Sequence, residues 1–202
     1  VEERPATPWH LTVRSYAEVR PELRTGDLVL FWGRGPLSRL ISDVTQGPSH
    51  AETLLVSSEL DIVFALGSVE GQGCRLVMLS RLIEDQRTRY DGAVVILRHR
   101  QPVSSAVERT AARVYLSDLG EGYGYRTLVL AGLRKLLLLV SPRLERWLYD
   151  RYDVLRTVFI CSEKSAETFV LKAQALTRYA NTVPEPVDLW RDENLDVVAR
   201  VL

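Results

Sequence analysis

Cys161 stands where a short β-type run, Thr157-Val158-Phe159-Ile160, gives way to a stretch with helical periodicity. From Ser162 to Tyr179 the apolar positions Ala166, Phe169, Val170 and Ala173 fall on one helical face. A thiol at a helix start meets unpaired backbone N–H groups and the positive end of the helix dipole. Both favour thiolate over thiol, and the same N–H groups suit a developing oxyanion. Residue type and place therefore fit a nucleophile. The competing reading is a small buried residue at a strand–helix junction.

A thiol nucleophile needs an imidazole within hydrogen-bond reach. His50 follows the break Gly47-Pro48-Ser49 and opens the apolar run His50-Ala51-Glu52-Thr53-Leu54-Leu55-Val56. There its ring can face a cleft, and it is the natural base. His10 lies in an irregular lead-in, and His99, within Arg98-His99-Arg100, is expected to be solvated at a strand end. Residues two apart in a strand share a face, which places Glu52 beside His50. Glu52 then either orients the imidazole or is an edge carboxylate facing solvent or one of the many arginines. Cys74 follows Gly71-Gln72-Gly73 with no helix start behind it and reads as structural.

The elements that must position these residues come in two blocks. Residues 1–24 read as an irregular lead-in with a short helix near Ser15 to Val19. Strands are expected at Leu28 to Trp32, His50 to Val56, Ile62 to Leu66, Arg75 to Leu79 and Ala93 to Arg98, the last being the final clear strand. Helices are expected from Pro36 to Thr45, with Pro at its start, and from Leu79 to about Gln86. Helical patterns follow at Val103 to Leu119, Pro142 to Tyr152 and Ser162 to Tyr179. Leu128 to Val140 is apolar but interrupted by Arg134-Lys135, too short and too charged to span a bilayer. Its default reading is a core helix, with a lipid-facing surface as the alternative. Pro184 and Pro186 are expected to end the ordered pattern before a polar tail. Strands first and helices after give an α+β fold, an antiparallel sheet with helices on one side.

Composition narrows the function classes. The 202 residues suit a single domain, 1–202, with a core that needs neither disulfides nor metals. Lys plus Arg balances Asp plus Glu at 26 each. That disfavours a nucleic-acid binder working through phosphate neutralisation. Two cysteines are too few for a disulfide scaffold, and no Cys-x-x-Cys or His-x-x-x-His spacing offers a structural zinc site. No metal or other cofactor is expected. The chain begins at Val1 with no visible signal peptide; a periplasmic or cell-envelope location is the expectation if a leader preceded it.

The order of these features resembles the circularly permuted papain-like hydrolases. That group includes the bacterial YiiX and YaeF proteins and is related to NlpC-type cell-wall peptidases and lecithin:retinol acyltransferase. The resemblance runs from about Arg24 to Trp190. It is carried by Gly26-Asp27-Leu28-Val29-Leu30-Phe31, Leu40-Ile41 through Thr45, Ser49-His50, Tyr123-Gly124-Tyr125, Phe159-Ile160-Cys161-Ser162-Glu163, and Val183-Pro184 through Asp188-Leu189. No one of these is specific; their order and spacing are. Histidine before cysteine is what the permutation implies.

The resemblance implies Cys161 as nucleophile, His50 as base and a third polar residue on the strand after the histidine strand. That position falls in Val63-Phe64-Ala65-Leu66, with Ala65 the best match, and a methyl group cannot hold an imidazole tautomer. Glu52 is the substitute; Ser68 and Glu70 are weaker candidates. The expected function is a thiol hydrolase or acyltransferase that forms an acyl-enzyme. Its substrate is a peptide amide, as in the cell wall, or a lipid ester. The alternative is a binding or structural protein on the same fold that has lost catalysis.

Overall fold

The computed structural model of the chain describes residues 5, 7–69, 72–90, 92–100, 113, 116–117, 119–120 and 186–202. Its centre is β2 (Leu28–Trp32), five apolar residues that are all buried. A strand buried throughout must be covered on both faces. Its neighbours are β3 (His50–Ser57) and β6 (Ala93–His99), both antiparallel to it. Among the described residues the sheet has seven strands in the order β1-β7-β6-β2-β3-β4-β5. The others are β1 (Val13–Arg14), β4 (Ile62–Val69), β5 (Gly73–Met78) and β7 (Leu195–Val201). Every pairing is antiparallel except β1 with β7. The fold is α+β, as the strand patterns followed by helical patterns predict.

Side chains alternate across the sheet. On one face Val29 and Phe31 join Leu54, Ala65, Val94 and Ile96. They pack under Leu79, Leu82 and Ile83 of α3 (Leu79–Asp85) and Val19 of α1 (Tyr16–Val19). On the other, Leu28, Leu30 and Trp32 join Ala51, Val95 and Leu97 under Leu189 and Trp190 of α4 (Pro186–Arg191). The Trp32 and Trp190 rings meet edge to face, centroids 5.1 Å apart, a favoured aromatic geometry. The Trp190 indole N–H donates to the Pro5 carbonyl at 2.7 Å, so this fully buried ring has its polar atom satisfied.

Several local readings hold. The short helix expected near Ser15 to Val19 is α1. The structure adds that Ser15 caps it in a reciprocal capping box with Glu18, and the carboxyl of Glu18 sits below its ordinary range because the Ser15 N–H and hydroxyl donate to it. A second helix, α2 (Pro36–Thr45), has the predicted bounds and ends at Gln46 in the left-handed region. Of the helix expected over Val103 to Leu119, Arg113, Leu116 and Ser117 are described and helical. The expectations for Leu128 to Val140, Pro142 to Tyr152, Thr157 to Ile160 and Ser162 to Tyr179 lie outside the described residues.

The C-terminal reading is corrected. Residues after Pro186 are not a polar tail but α4 and β7, and Ala93–His99 is not the last strand. β7 escaped notice because Asp196 and Arg200 interrupt it and because its register shifts opposite Ile96 and Leu97. A bulge of this kind breaks the period-two pattern that marks a strand. Helices consequently lie on both faces of the sheet rather than one. Among the described residues, no helix is long and apolar enough to cross a membrane.

Gly26-Asp27, which marks the turn into β2, has a structural task. Asp27 is 2% exposed. It accepts from Arg98 Nε at 2.8 Å, Arg98 Nη2 at 2.6 Å and the Arg24 backbone N–H at 2.8 Å. This two-point clamp joins the start of β2 to β6, and it holds the guanidinium of Arg98 above its ordinary pKa. Removing Asp27 leaves the partly buried Arg98 guanidinium and the Arg24 N–H without their acceptor. Asp27→Ala is therefore expected to destabilise the fold by about 1–3 kcal/mol. The check is urea denaturation, read as a lower midpoint at unchanged slope.

Candidate functional site

His50 is the first residue of β3, paired with Phe31 of β2. The two rings lie 5.6 Å apart between centroids and tilted by 36°. Ser49 fixes the position from which His50 leaves the loop. Its backbone N–H donates to the Phe31 carbonyl at 2.8 Å, its hydroxyl donates to the same oxygen at 3.1 Å, and it accepts from the Gly33 N–H at 3.3 Å. The preceding loop passes against α4. A Cβ at Gly47 would stand 2.6 Å from Val187 Cγ2, so only glycine fits that approach.

Glu52 lies two residues on, on the same face as His50. It is 1% exposed, and its Oε1 is 3.0 Å from His50 Nε2. An ionised carboxylate only accepts hydrogen bonds. Against an ionised Glu52, Nε2 is the donor in this contact. The expected pairing of His50 with Glu52 is thus present as geometry. So is the competing expectation of an arginine partner, since Arg75 Nη2 of β5 lies 3.9 Å from the same Oε1. Arg75 Nη1 in turn donates to Gln72 Oε1 at 2.8 Å.

The room for Glu52 comes from Gly67 on β4. A Cβ there would collide with Glu52 Cγ and would lie 2.9 Å from Cδ and 3.2 Å from Oε1. His50, Glu52 and Arg75 line a cleft of about 430 Å³, together with Phe31, Ser49 and Gln86. That volume is in the range of small-molecule sites. Among the described residues, no three His, Cys, Asp or Glu side chains gather as a metal would require.

Other candidates fall elsewhere. Ala65 is not the residue beside the imidazole. It pairs with Leu54 inside the apolar cluster, further along the sheet, and the β4 residue against Glu52 is Gly67. Ser68 is buried on β4 and borders the cleft, while Glu70 lies outside the described residues. His99 is buried, not solvated, because Leu195 of the unforeseen β7 pairs with it. His10 is exposed. Cys74 is buried in β5, in keeping with a structural role. Cys161 lies outside the described residues. Arg75 and Gly67 were not singled out from the sequence. Their importance depends on which strands are neighbours, and no spacing within Gly73-Cys74-Arg75 announces it.

A seven-stranded α+β sheet with a His–Glu–Arg cluster at one end of its apolar face is the class of protein this geometry defines. No protein-family model matches the chain, and no curated protein matches it. Among solved structures it is similar to the crystal structure of the metalloprotein YiiX from Escherichia coli O157:H7. The two share 16% identity and superpose with a TM-score of 0.58, over 88% of this chain and 97% of that one. At that identity the likeness establishes a YiiX-like fold.

Gly67→Ala tests the packing at Glu52. The added methyl has no room unless the carboxylate moves, and overpacking of this kind costs about 1–3 kcal/mol. The expected result is loss of the hydrogen-bonded His50 Nε2 proton signal in NMR spectra of a protein that still folds.

Proposed function

We propose that the chain is a permuted papain-like thiol hydrolase or acyltransferase acting on a peptide amide or a lipid ester. Cys161 is its nucleophile, His50 its base and Glu52 the group that orients the imidazole. The observation that carries this reading is the hydrogen bond between His50 Nε2 and the buried Glu52 carboxylate at the wall of a cleft. A carboxylate in that place fixes the tautomer and stabilises the imidazolium formed during reaction. Ala65 lies in the core rather than beside the imidazole, and in this reading Glu52 takes the orienting role from the histidine strand itself.

In this reaction His50 Nδ1 takes the Cys161 proton as the sulfur attacks the carbonyl carbon. Backbone N–H groups receive the oxyanion. The imidazolium returns its proton to the leaving amine or alcohol, leaving a thioester. Water or an acceptor, deprotonated by His50, then releases the acyl group and regenerates the thiol.

The YiiX neighbour is described as a metalloprotein. The described residues here do not fit a metal. His50 and Glu52 bond to each other, and the guanidinium of Arg75 lies 3.9 Å from the oxygen that a cation would need. No step is therefore routed through one.

Iodoacetamide at pH 6 tests the reading, with mass spectrometry to locate the adduct. Cys161 is expected to label readily, because a thiolate reacts at a pH where a resting thiol, with its pKa near 8.5, hardly does. His50→Ala is expected to slow that labelling by about tenfold or more. A Cys161 that reacts no faster than the same residue in denatured chain overturns the proposal. Turnover of acyl probes should vanish in Cys161→Ala. In Glu52→Gln it should fall by at least about tenfold, short of the roughly 10⁴-fold loss that the corresponding change causes in a serine triad.

A further inference from the structure

Glu52 is almost wholly buried, yet only one of its oxygens has a partner. Oε1 meets His50, while Oε2 is buried with no hydrogen-bond partner among the described residues. A buried carboxylate left half-satisfied is costly. Beside it stands a complementary deficit: Arg75 Nε is buried and likewise without a partner. One is an acceptor and the other a donor. Their side chains already approach through Nη2 and Oε1 at 3.9 Å, close enough for charge attraction and too far for a hydrogen bond.

The orientation of the guanidinium is fixed from its opposite side. Gln72 Oε1 takes Nη1, leaving the edge formed by Nε and Nη2. That edge is the one a carboxylate engages side-on, with two parallel bonds of about 2.7–2.9 Å. Closing the gap needs a movement of about 1 Å, the difference between the present separation and that bond length. Gly67 has no side chain to obstruct the carboxylate, and Arg75 borders the same cleft as His50.

We infer that Arg75 is a positioning residue for His50, acting through Glu52 by closing on its carboxylate as a side-on, two-point pair. The closed pair satisfies both buried atoms and stops the carboxylate rotating away from the imidazole. Gln72 sets the angle of approach. The inference rests on the proposed working pair of His50 and Glu52. It does not depend on Cys161. If Cys161 fails to label while the coupling below is present, only the thiol chemistry falls.

The experiment is NMR titration of the His50 imidazole, assigned by His50→Gln, in the wild type, Glu52→Gln, Arg75→Gln and the double variant. In the wild-type background Glu52→Gln is expected to lower the midpoint by about one pH unit or more, the effect of removing an adjacent opposite charge. In the Arg75→Gln background the same step should shrink to less than half. An equal step in both backgrounds would falsify the inference. Arg75→Lys keeps the charge but loses the fork, so it should behave like Arg75→Gln; a wild-type step there overturns the two-point pair. A further measurement needs no change at Arg75. Its Nε–H resonance should exchange slowly with water in the wild type and quickly in Glu52→Gln, and equal exchange in the two proteins also overturns the inference.

Discussion

The burial of β2 on both faces constrains everything around it. Its five apolar side chains point alternately to two separate clusters, one under α1 and α3 and the other under α4. A strand of this kind has one tolerable register, because a slip of one residue would exchange its two faces. Its pairing with β3 sets Phe31 opposite His50. The Asp27–Arg98 clamp pins the other end of the same strand to β6. The position of the imidazole is thus decided by the packing of the centre of the molecule, not by the loop from which it emerges.

The polar cluster grows out of the same face as the larger apolar cluster. Along β3 the face runs His50, Glu52, Leu54, passing from a half-buried ring to a buried carboxylate to the core. Across the neighbouring strands the facing residues are Gly67, which makes space, and Arg75, which supplies charge. Three strands contribute to one carboxylate environment. The backbone of each contributor is held in a hydrogen-bonded ladder, which leaves movement to the side chains.

Local patterns in the sequence carried much of this. The apolar run of β2, the Gly-Pro-Ser break before His50, the short helix near Ser15 and the proline-started α2 are short-range features, and each appears where its pattern placed it. The alternation of β3 put Glu52 on the face of His50, which the 3.0 Å contact bears out as geometry. Less legible was anything set by partners far along the chain. β7 carries charges and a register shift, so its period-two signal is broken, and α4 is only six residues long. Missing them placed all helices on one side of the sheet and left His99 in solvent. The first error follows from α4, which covers the second face, and the second from β7, a strand whose identity depends on the strand it pairs with.

By itself the sequence determined the mixed α+β class, the bounds of the central elements and the His50–Glu52 face, because periodicity, caps and turn residues act over a few positions. Only the tertiary structure decided that Ala65 lies in the core, that Gly67 is the neighbour of Glu52, and that Arg75 stands 3.9 Å from its carboxylate. Those facts depend on the order and register of three strands. No local rule fixes strand order; it is settled by burial of the sheet's two faces and by the backbone hydrogen bonds that burial obliges the chain to make.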